Sequence, residues 1–143
     1  MRSRERGSAS LEFLVVGVGF LVPLVALCVT VTEVSTATLA ATTAARQAIR
    51  AYTRSASVAE GSATVDAAVA LVLDDHGLAA NARSVHLDCS ARNCLRRGSL
   101  DTITVRVTVP LRFVPTLPGL IVPPSIVVER SASARVSIDW ANT

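Results

Sequence analysis

The sequence predicts an α+β fold: a long N-terminal transmembrane helix, a second short helix and a small three-stranded antiparallel sheet. Three features of the sequence pattern support this prediction. Residues 13–32 form an uncharged apolar run of twenty residues, and residues 34–76 keep a composition or spacing typical of helix. After Gly77 the apolar residues alternate with polar ones, which indicates half-buried strands.

The first helix is expected over residues 8–56. At about 1.5 Å per residue, the uncharged run between Glu12 and Glu33 measures roughly 30 Å, the thickness of the hydrocarbon core of a bilayer. Residues 34–57 contain neither Gly nor Pro and are rich in alanine, which favours helix. We therefore expect a transmembrane segment over residues 8–33 and an exported continuation over residues 34–60. One side of this continuation is marked as solvated or partner-facing by arginines that recur every four residues, Arg46, Arg50 and Arg54.

An exported α+β domain, residues 61–143, is expected to follow. Glu60, Gly61 and Ser62 predict a break, with Ser62 capping a second helix over residues 63–76. Gly77 is expected to end that helix as a C-terminal cap residue. The predicted buried face has spacings of three and four residues and comprises Val65, Ala68, Val69, Val72 and His76.

Three strands are predicted, over residues 84–89, 102–113 and 125–140. The inward side of the second strand comprises Ile103, Val105, Val107, Val109, Leu111 and Phe113. The inward side of the third comprises Ile126, Val128, Ala132, Ala134, Val136, Ile138 and Trp140. Pro110 cannot donate a ladder hydrogen bond, so its end of the strand is expected at an edge or irregularity, and the proline-rich residues 114–124 predict a long connection.

Length and composition limit the possible functions. The chain has 143 residues, which predicts one domain plus one membrane anchor. Its net charge is +3 without any lysine, and its arginine cluster, Arg92, Arg96 and Arg97, lies in a predicted loop. Nucleic-acid binders combine clustered basic residues with stacking aromatics, and aromatics make up only 3% of this chain, so we expect no nucleic-acid partner.

The sequence contains no motif of an enzyme active site. It lacks the nucleophile elbow, the phosphate-binding loop, the zinc-peptidase motif and the dinucleotide fingerprint. The group Asp74-Asp75-His76 is interpreted as exposed charge at a helix end rather than a catalytic or metal site. We therefore expect no catalytic residue, no cofactor and no small-molecule substrate.

The charges that flank the apolar run predict its orientation. Arg2, Arg4 and Arg6 precede the run with one acid, Glu5, among them, and Glu33 is the first charge after it. By the positive-inside rule, the N-terminus is cytoplasmic and the residues after 33 are exported. A cleavable secretory signal is the competing interpretation, with Ser35-Thr36-Ala37 as a small-residue cleavage site.

The three cysteines fall into two groups. Cys28 lies in the apolar run, where a lone cysteine behaves as a small hydrophobe. Cys89 and Cys94 lie close together in the exported region, where a disulfide between them is favoured. The alternative adds His86, and His76 as a fourth ligand, to form a zinc site.

The N-terminal residues resemble a known processing signal. An arginine-rich leader ends in Gly7, the fifth residue after it is Glu12, Phe13 follows, and the apolar run comes next. This pattern is similar to the class III signal of type IV pilin-like proteins and resembles most closely the TadE/TadF-like pseudopilins of the tight-adherence (Tad/Flp) pilus. The C-terminal arrangement of strand, proline-rich loop and strand is also TadE-like in pattern.

The resemblance implies a residue-level mechanism. Residues 1–7 would be a cytoplasmic leader that a prepilin peptidase removes between Gly7 and Ser8. The carboxylate of Glu12, beside Phe13, would pair with the new amine of Ser8 in a neighbouring subunit. The implied partners are the membrane, the prepilin peptidase, other pilin subunits and the pilus assembly platform.

Two functions therefore remain open at the level of sequence. In the first, the chain is a minor pilin that is cleaved, stays in the membrane or enters an extracellular pilus, and takes part in pilus assembly. In the second, it is a signal-anchored or secreted small extracytoplasmic binding domain with no filament role.

Overall fold

The fold is given by a computed structural model of the chain. It describes residues 6–78, 83–90, 94–111 and 124–137, with the backbone alone for residues 6–10. The described elements, in chain order, are α1 (Arg6–Tyr52), α2 (Val58–Asp75), β1 (Arg83–Cys89), β2 (Leu100–Pro110) and β3 (Ser125–Arg135). This architecture confirms the predicted α+β fold with a long apolar helix, a shorter helix and a three-stranded antiparallel sheet.

α1 is 47 residues long and measures about 70 Å. It ends at Tyr52, before the predicted residue 56. The amides of Arg54 and Ser55 donate to carbonyls three residues earlier, at 3.3 and 3.1 Å, which tightens the last turn. The hydroxyl of Ser55 also donates to the carbonyl of Ala51 at 3.0 Å, so the serine side chain helps to close the helix.

The predicted break at Glu60-Gly61-Ser62 is wrong, because these residues lie inside α2. The helix is capped by Ser57, whose hydroxyl accepts from the amide of Glu60 at 3.2 Å, while the Glu60 carboxylate accepts from the amide of Ala56 at 3.2 Å. This reciprocal arrangement is close to a capping box, which satisfies amides that the first helical turn leaves unpaired. The sequence Ser57-Val58-Ala59-Glu60 carries the signal for it.

The predicted end of α2 at Gly77 is confirmed. Gly77 has a φ of +67°, which a residue with a Cβ rarely adopts. Its amide donates to Asp74 at 2.8 Å, and the amide of Leu78 donates to Leu73 at 2.9 Å, which is the bonding pattern of a Schellman motif. Leu78 then packs against the core, so the chain turns from α2 towards the sheet.

The sheet has the order β1-β2-β3, and both pairings are antiparallel. Cys89 is opposite Asp101 in the first pairing, and Pro110 is opposite Ser125 in the second. β2 ends at Pro110, earlier than the predicted residue 113, and β3 ends at Arg135, earlier than the predicted residue 140. Phe113, Ile138, Trp140 and most of the predicted connection lie outside the described residues.

The buried residues of β2 follow the predicted alternation, and one face of α1 is buried in the same core. Residues 103, 105, 107 and 109 of β2 are buried, and Val128 of β3 is buried with them. α1 packs against α2, β2 and β3. It contributes a fully buried row of small side chains, which lets the helix backbone approach its neighbours closely: Ala37, Ala40, Ala41, Ala44, Ala45 and Ala48.

Gly61 provides a second close approach, between α2 and the end of α1. A Cβ at Gly61 would lie 2.7 Å from Cδ2 and 2.8 Å from Cε2 of the Tyr52 ring, which is fully buried. The ring therefore packs directly on the backbone of α2. This contact explains why a glycine stands inside a helix, where it costs about 1 kcal/mol relative to alanine.

We predict that Gly61→Ala destabilises the packed domain despite the higher helix propensity of alanine. The clash with the buried Tyr52 ring is expected to exceed the gain in helix propensity of about 1 kcal/mol, so the net loss of stability should be about 1–2 kcal/mol. Thermal unfolding of the detergent-solubilised chain, followed by circular dichroism, measures the effect. Gly19→Ala is the control, because nothing lies within 4 Å of its Cβ. An unchanged melting temperature for Gly61→Ala would contradict the packing argument.

Candidate functional site

α1 consists of an uncovered part and a packed part. From Leu11 to Val25 every described side chain is exposed, including Phe13 at 82% and Phe20 at 73%, whereas one face of α1 is fully buried beyond Ala37. The uncovered part is apolar around its whole circumference. A helix that is hydrophobic all round is normally surrounded by lipid or by other helices.

In the described part of the chain, α1 is the one helix that is long and apolar enough to cross a membrane. The criterion is length and composition, and an N-terminal signal sequence meets it as well. The structure therefore supports a single N-terminal membrane anchor or signal sequence. The orientation of the helix depends on the flanking charges described above.

The hydroxyl groups near the end of the apolar run are satisfied within α1 itself. Thr30 donates to the carbonyl of Ala26 and Thr32 to that of Cys28, both at 2.9 Å. Because these hydroxyls have partners one turn back along the helix, they can enter an apolar environment without the cost of an unmade hydrogen bond. The threonines are therefore compatible with a membrane-embedded helix.

The predicted processing and pairing residues lie at the start of α1. The backbone of Gly7 and Ser8 belongs to its first turn, and Glu12 and Phe13 are exposed one turn further on. The amides of a first helical turn have no intrahelical acceptors, so this turn unwinds more readily than the rest. No ion pair or side-chain hydrogen bond within the described residues involves the Glu12 carboxylate.

The packed domain meets α1 at the end of the apolar run. His76 and Gly77, which follow α2, line a cleft with Cys28, Glu33 and Thr36 of α1. The His76 ring is held by a 2.8 Å contact between its Nδ1 and the carbonyl of Val72. The domain therefore begins within about one turn of Glu33, and a membrane around the uncovered part of α1 would lie directly beneath it.

Cys89 and Cys94 form a disulfide, and Cys28 is a free, exposed cysteine. The disulfide excludes the alternative zinc site, because its sulfur atoms cannot act as thiolate ligands. His86 contacts Asp88 instead, with 3.2 Å between Nε2 and Oδ1 on the solvent side of the sheet. Among the residues that the structure describes, no three metal-ligating side chains come together.

A buried carboxylate that the sequence pattern did not predict lies beside the disulfide. Asp101 is fully buried; it accepts from the amide of Leu95 and from the hydroxyl of Ser99, each at 3.2 Å. Asp101 lies on the same side of β2 as Ile103. Extending the predicted alternation from Ile103 two residues towards the N-terminus would therefore have placed its side chain inward. The carboxylate holds the segment after the disulfide against the sheet.

Tyr52 lies close to Asp101 and is the second buried polar group of this region. Its hydroxyl has no hydrogen-bond partner among the described residues. Burial raises the pKa of the Tyr52 hydroxyl above its usual range, and the charge of the Asp101 carboxylate raises this pKa further. The nearby Asp101 carboxylate therefore favours the neutral form of Tyr52.

No protein-family model, no curated protein and no solved structure gives a significant match to this chain.

We predict that the domain loses stability above about pH 10, because Tyr52 ionises more readily in the unfolded chain than in the folded one. The raised pKa of Tyr52 contributes its full stabilisation at pH values below the pKa of this tyrosine in the unfolded chain. The contribution is lost as the pH rises through the pKa of Tyr52 in the folded chain. Absorbance of the tyrosinate at 295 nm tests this directly, since the chain has a single tyrosine.

The midpoint of the tyrosinate titration should be higher in the folded protein than in the urea-unfolded protein. Tyr52→Phe should remove the loss of stability at high pH and should change the melting temperature at neutral pH little. Equal midpoints in the folded and unfolded states would contradict the burial argument.

Proposed function

We propose that this chain is a minor pilin, or pseudopilin, of a Tad-type pilus. A prepilin peptidase would remove residues 1–7, and the mature chain would stay in the membrane through the uncovered part of α1 until it joins other pilin subunits on the assembly platform. In the membrane, its N-terminus would be cytoplasmic and its domain extracytoplasmic.

The observation that carries the proposal is the position of one carboxylate on an uncovered apolar helix. Glu12 is separated by a single turn from Ser8, and twenty uncharged residues follow it. A carboxylate inside the apolar region of a membrane helix costs about 2.5–3.5 kcal/mol or more unless it is paired or reaches the interface. A positively charged amine at Ser8, which exists only after cleavage, supplies the missing partner.

The amine and the carboxylate can be paired in two ways. Ser8 and Glu12 lie four residues apart on one helix, so they can meet within one subunit. Alternatively, Glu12 of one subunit pairs with the Ser8 amine of a neighbour, which fixes the stagger between them. We favour the second arrangement, because the uncovered apolar surface around Phe13 offers a neighbouring helix room to pack.

The exported domain supports the same assignment. Its disulfide supports the proposal, because disulfides persist mainly in compartments more oxidising than the cytosol. α1 passes from its uncovered part into the domain core as one helix, with Pro23 inside the uncovered part, so no loop separates the domain from its anchor. A subunit of a filament requires such an attachment, because the packing of its helix must determine where its domain lies.

The first test concerns processing. We predict that the mature protein begins at Ser8 and that Gly7→Leu blocks cleavage, because a side chain at this position no longer fits the peptidase. Gly17→Leu makes the same change ten residues further along the chain and should be cleaved normally. N-terminal sequencing of the membrane-extracted protein distinguishes the outcomes. A start at Met1 would indicate an uncleaved anchor, and a start near Thr38 a secretory signal; either would overturn the proposal.

The second test concerns Glu12. Glu12→Gln and Glu12→Leu are each expected to be cleaved and inserted normally, yet to lose co-purification with other pilins, because the charge pair is absent. Glu12→Asp keeps the carboxylate and should retain most of the co-purification. If Glu12→Gln and Glu12→Leu enter filaments at the wild-type level, Glu12 is a residue of the headgroup region without a role in assembly.

A further inference from the structure

The cleft between α1 and the residues that follow α2 has an apolar side and a polar side. Its volume is about 450 Å³, which is within the usual range for small-molecule sites. Cys28 and Val29 form the apolar side and belong to the uncharged run of α1. Glu33 and Thr36 of α1, together with His76, form the polar side. The cleft therefore changes from apolar to polar along the axis of α1.

This change occurs at the depth where a bilayer changes in the same way. If the uncharged run of residues 13–32 fills the hydrocarbon core, Glu33 lies at its boundary and Thr36 lies about 4.5 Å further out. The headgroup layer extends roughly 5–7 Å beyond the hydrocarbon core on each side. The polar side of the cleft would therefore lie among lipid headgroups, and Cys28, about 7 Å deeper than Glu33, would lie among acyl chains.

An apolar groove on α1 continues the cleft into the hydrocarbon core. The groove has a volume of about 240 Å³ and shares one residue, Val29, with the cleft. It extends about 12 Å along the helix axis and is lined by Leu21, Val22, Val25, Ala26 and Val29. The cleft and the groove together match the shape of one phospholipid, with the headgroup above and an acyl chain below.

The polar side of the cleft presents hydrogen-bond acceptors. Nδ1 of His76 lies 2.8 Å from the carbonyl oxygen of Val72, and because a carbonyl can only accept, Nδ1 carries the proton. In the neutral ring, Nε2 is then an acceptor. The Glu33 carboxylate offers about four lone-pair sites, so it can accept from a ligand in addition to its contacts within the chain.

Thr36 and the end of α2 add to this preference. The hydroxyls of Thr32 and Thr38 donate to carbonyls one turn back along α1, whereas no hydrogen bond within the described residues involves the Thr36 hydroxyl. His76 and Gly77 directly follow α2, so the negative end of its helix dipole lies at the cleft, and the last turn of α2 carries no basic residue. The cleft therefore suits a cation that has N–H donors.

We propose that this cleft binds a phospholipid with a primary ammonium headgroup, as in phosphatidylethanolamine. The ammonium donates to the Glu33 carboxylate, the Thr36 hydroxyl and Nε2 of His76, and an acyl chain lies along the apolar groove. A quaternary ammonium, as in phosphatidylcholine, has the same charge but no N–H group, so it cannot form these hydrogen bonds. The bound lipid would hold the packed domain against the leaflet that surrounds the end of the apolar run.

This inference rests on the membrane insertion of α1, which is part of the proposed function, but not on cleavage or filament assembly. The site requires neither the Gly7 cleavage nor the Glu12 carboxylate. A start at Ser8 and the behaviour of the Glu12 variants test the pilin assignment, whereas the following experiment uses this chain alone and measures lipid binding. The two proposals can therefore fail separately.

The experiment titrates lipids into the full-length, detergent-solubilised chain and counts the bound molecules by native mass spectrometry. The lipids share the same acyl chains and are phosphatidylethanolamine, its N-methyl and N,N-dimethyl derivatives, and phosphatidylcholine. Each added methyl group removes one N–H donor and keeps the positive charge. Affinity should fall with each methyl group, and the Kd for phosphatidylcholine should be about tenfold higher than that for phosphatidylethanolamine.

Variants of the chain test the acceptors separately. Glu33→Gln removes the negative charge and Thr36→Val removes the hydroxyl at nearly constant size, so each should weaken phosphatidylethanolamine binding about 3–10-fold and leave phosphatidylcholine binding unchanged. The matched control is Asp66→Asn, which removes an exposed carboxylate of α2 about 15 Å from His76 along the helix and should keep the preference. Circular dichroism melting confirms that each variant is folded.

Four results would overturn the proposal. The first is equal affinity of the wild-type chain for phosphatidylethanolamine and phosphatidylcholine. The second is a Glu33→Gln variant that keeps the wild-type preference or loses both lipids equally. The third is displacement of the lipid by an equal concentration of glycerophosphoethanolamine, which lacks acyl chains and would indicate a site for a free amine. The fourth is a dimer of the chain in place of the lipid-bound form, which would assign the cleft to a second copy.

Discussion

The structure depends on one constraint: α1 must suit two different surroundings along a single unbroken helix. In its first part, an apolar surface faces outward in every direction, and the aromatic side chains Phe13 and Phe20 are almost fully exposed. In its second part, one face is buried against α2 and the sheet, while the opposite face carries arginines. Because no loop separates the two parts, whatever fixes the first also fixes the orientation of the domain.

The packed part meets this constraint with small side chains rather than large ones. A row of alanines brings the axis of α1 close to the sheet, and Tyr52 fills the remaining space at the helix end. The absence of a side chain at Gly61 lets that ring contact the backbone of α2. Close backbone approach with few large side chains explains how a chain with 3% aromatic residues can still form a core of buried β-branched and alanine side chains.

Much of the fold could be predicted because its signals are local. The uncharged run predicts the apolar helix, the alternation predicts β2, and Gly77 predicts the end of α2. Each of these signals lies within the segment whose structure it predicts. The start of α2 was mispredicted because Gly61 was interpreted as a helix breaker, although its role is a contact with Tyr52 that no local pattern reveals. The sequence also contained the competing signal, Ser57 followed by Glu60, whose capping bonds determine where the helix begins. For the candidate site, the exposure of Glu12 and Phe13 follows from the apolar run, whereas the Glu12 carboxylate forms no ion pair within the described residues.

Asp101 shows why the fold and the compartment of the domain are linked. A fully buried carboxylate is tolerated only where donors replace its water, and here the donors are the Leu95 amide and the Ser99 hydroxyl. The Leu95 amide directly follows Cys94, so the disulfide restricts the segment that carries one of the two donors. Reduction would remove this restriction on the segment that donates to Asp101. The domain is therefore most stable where its disulfide stays oxidised.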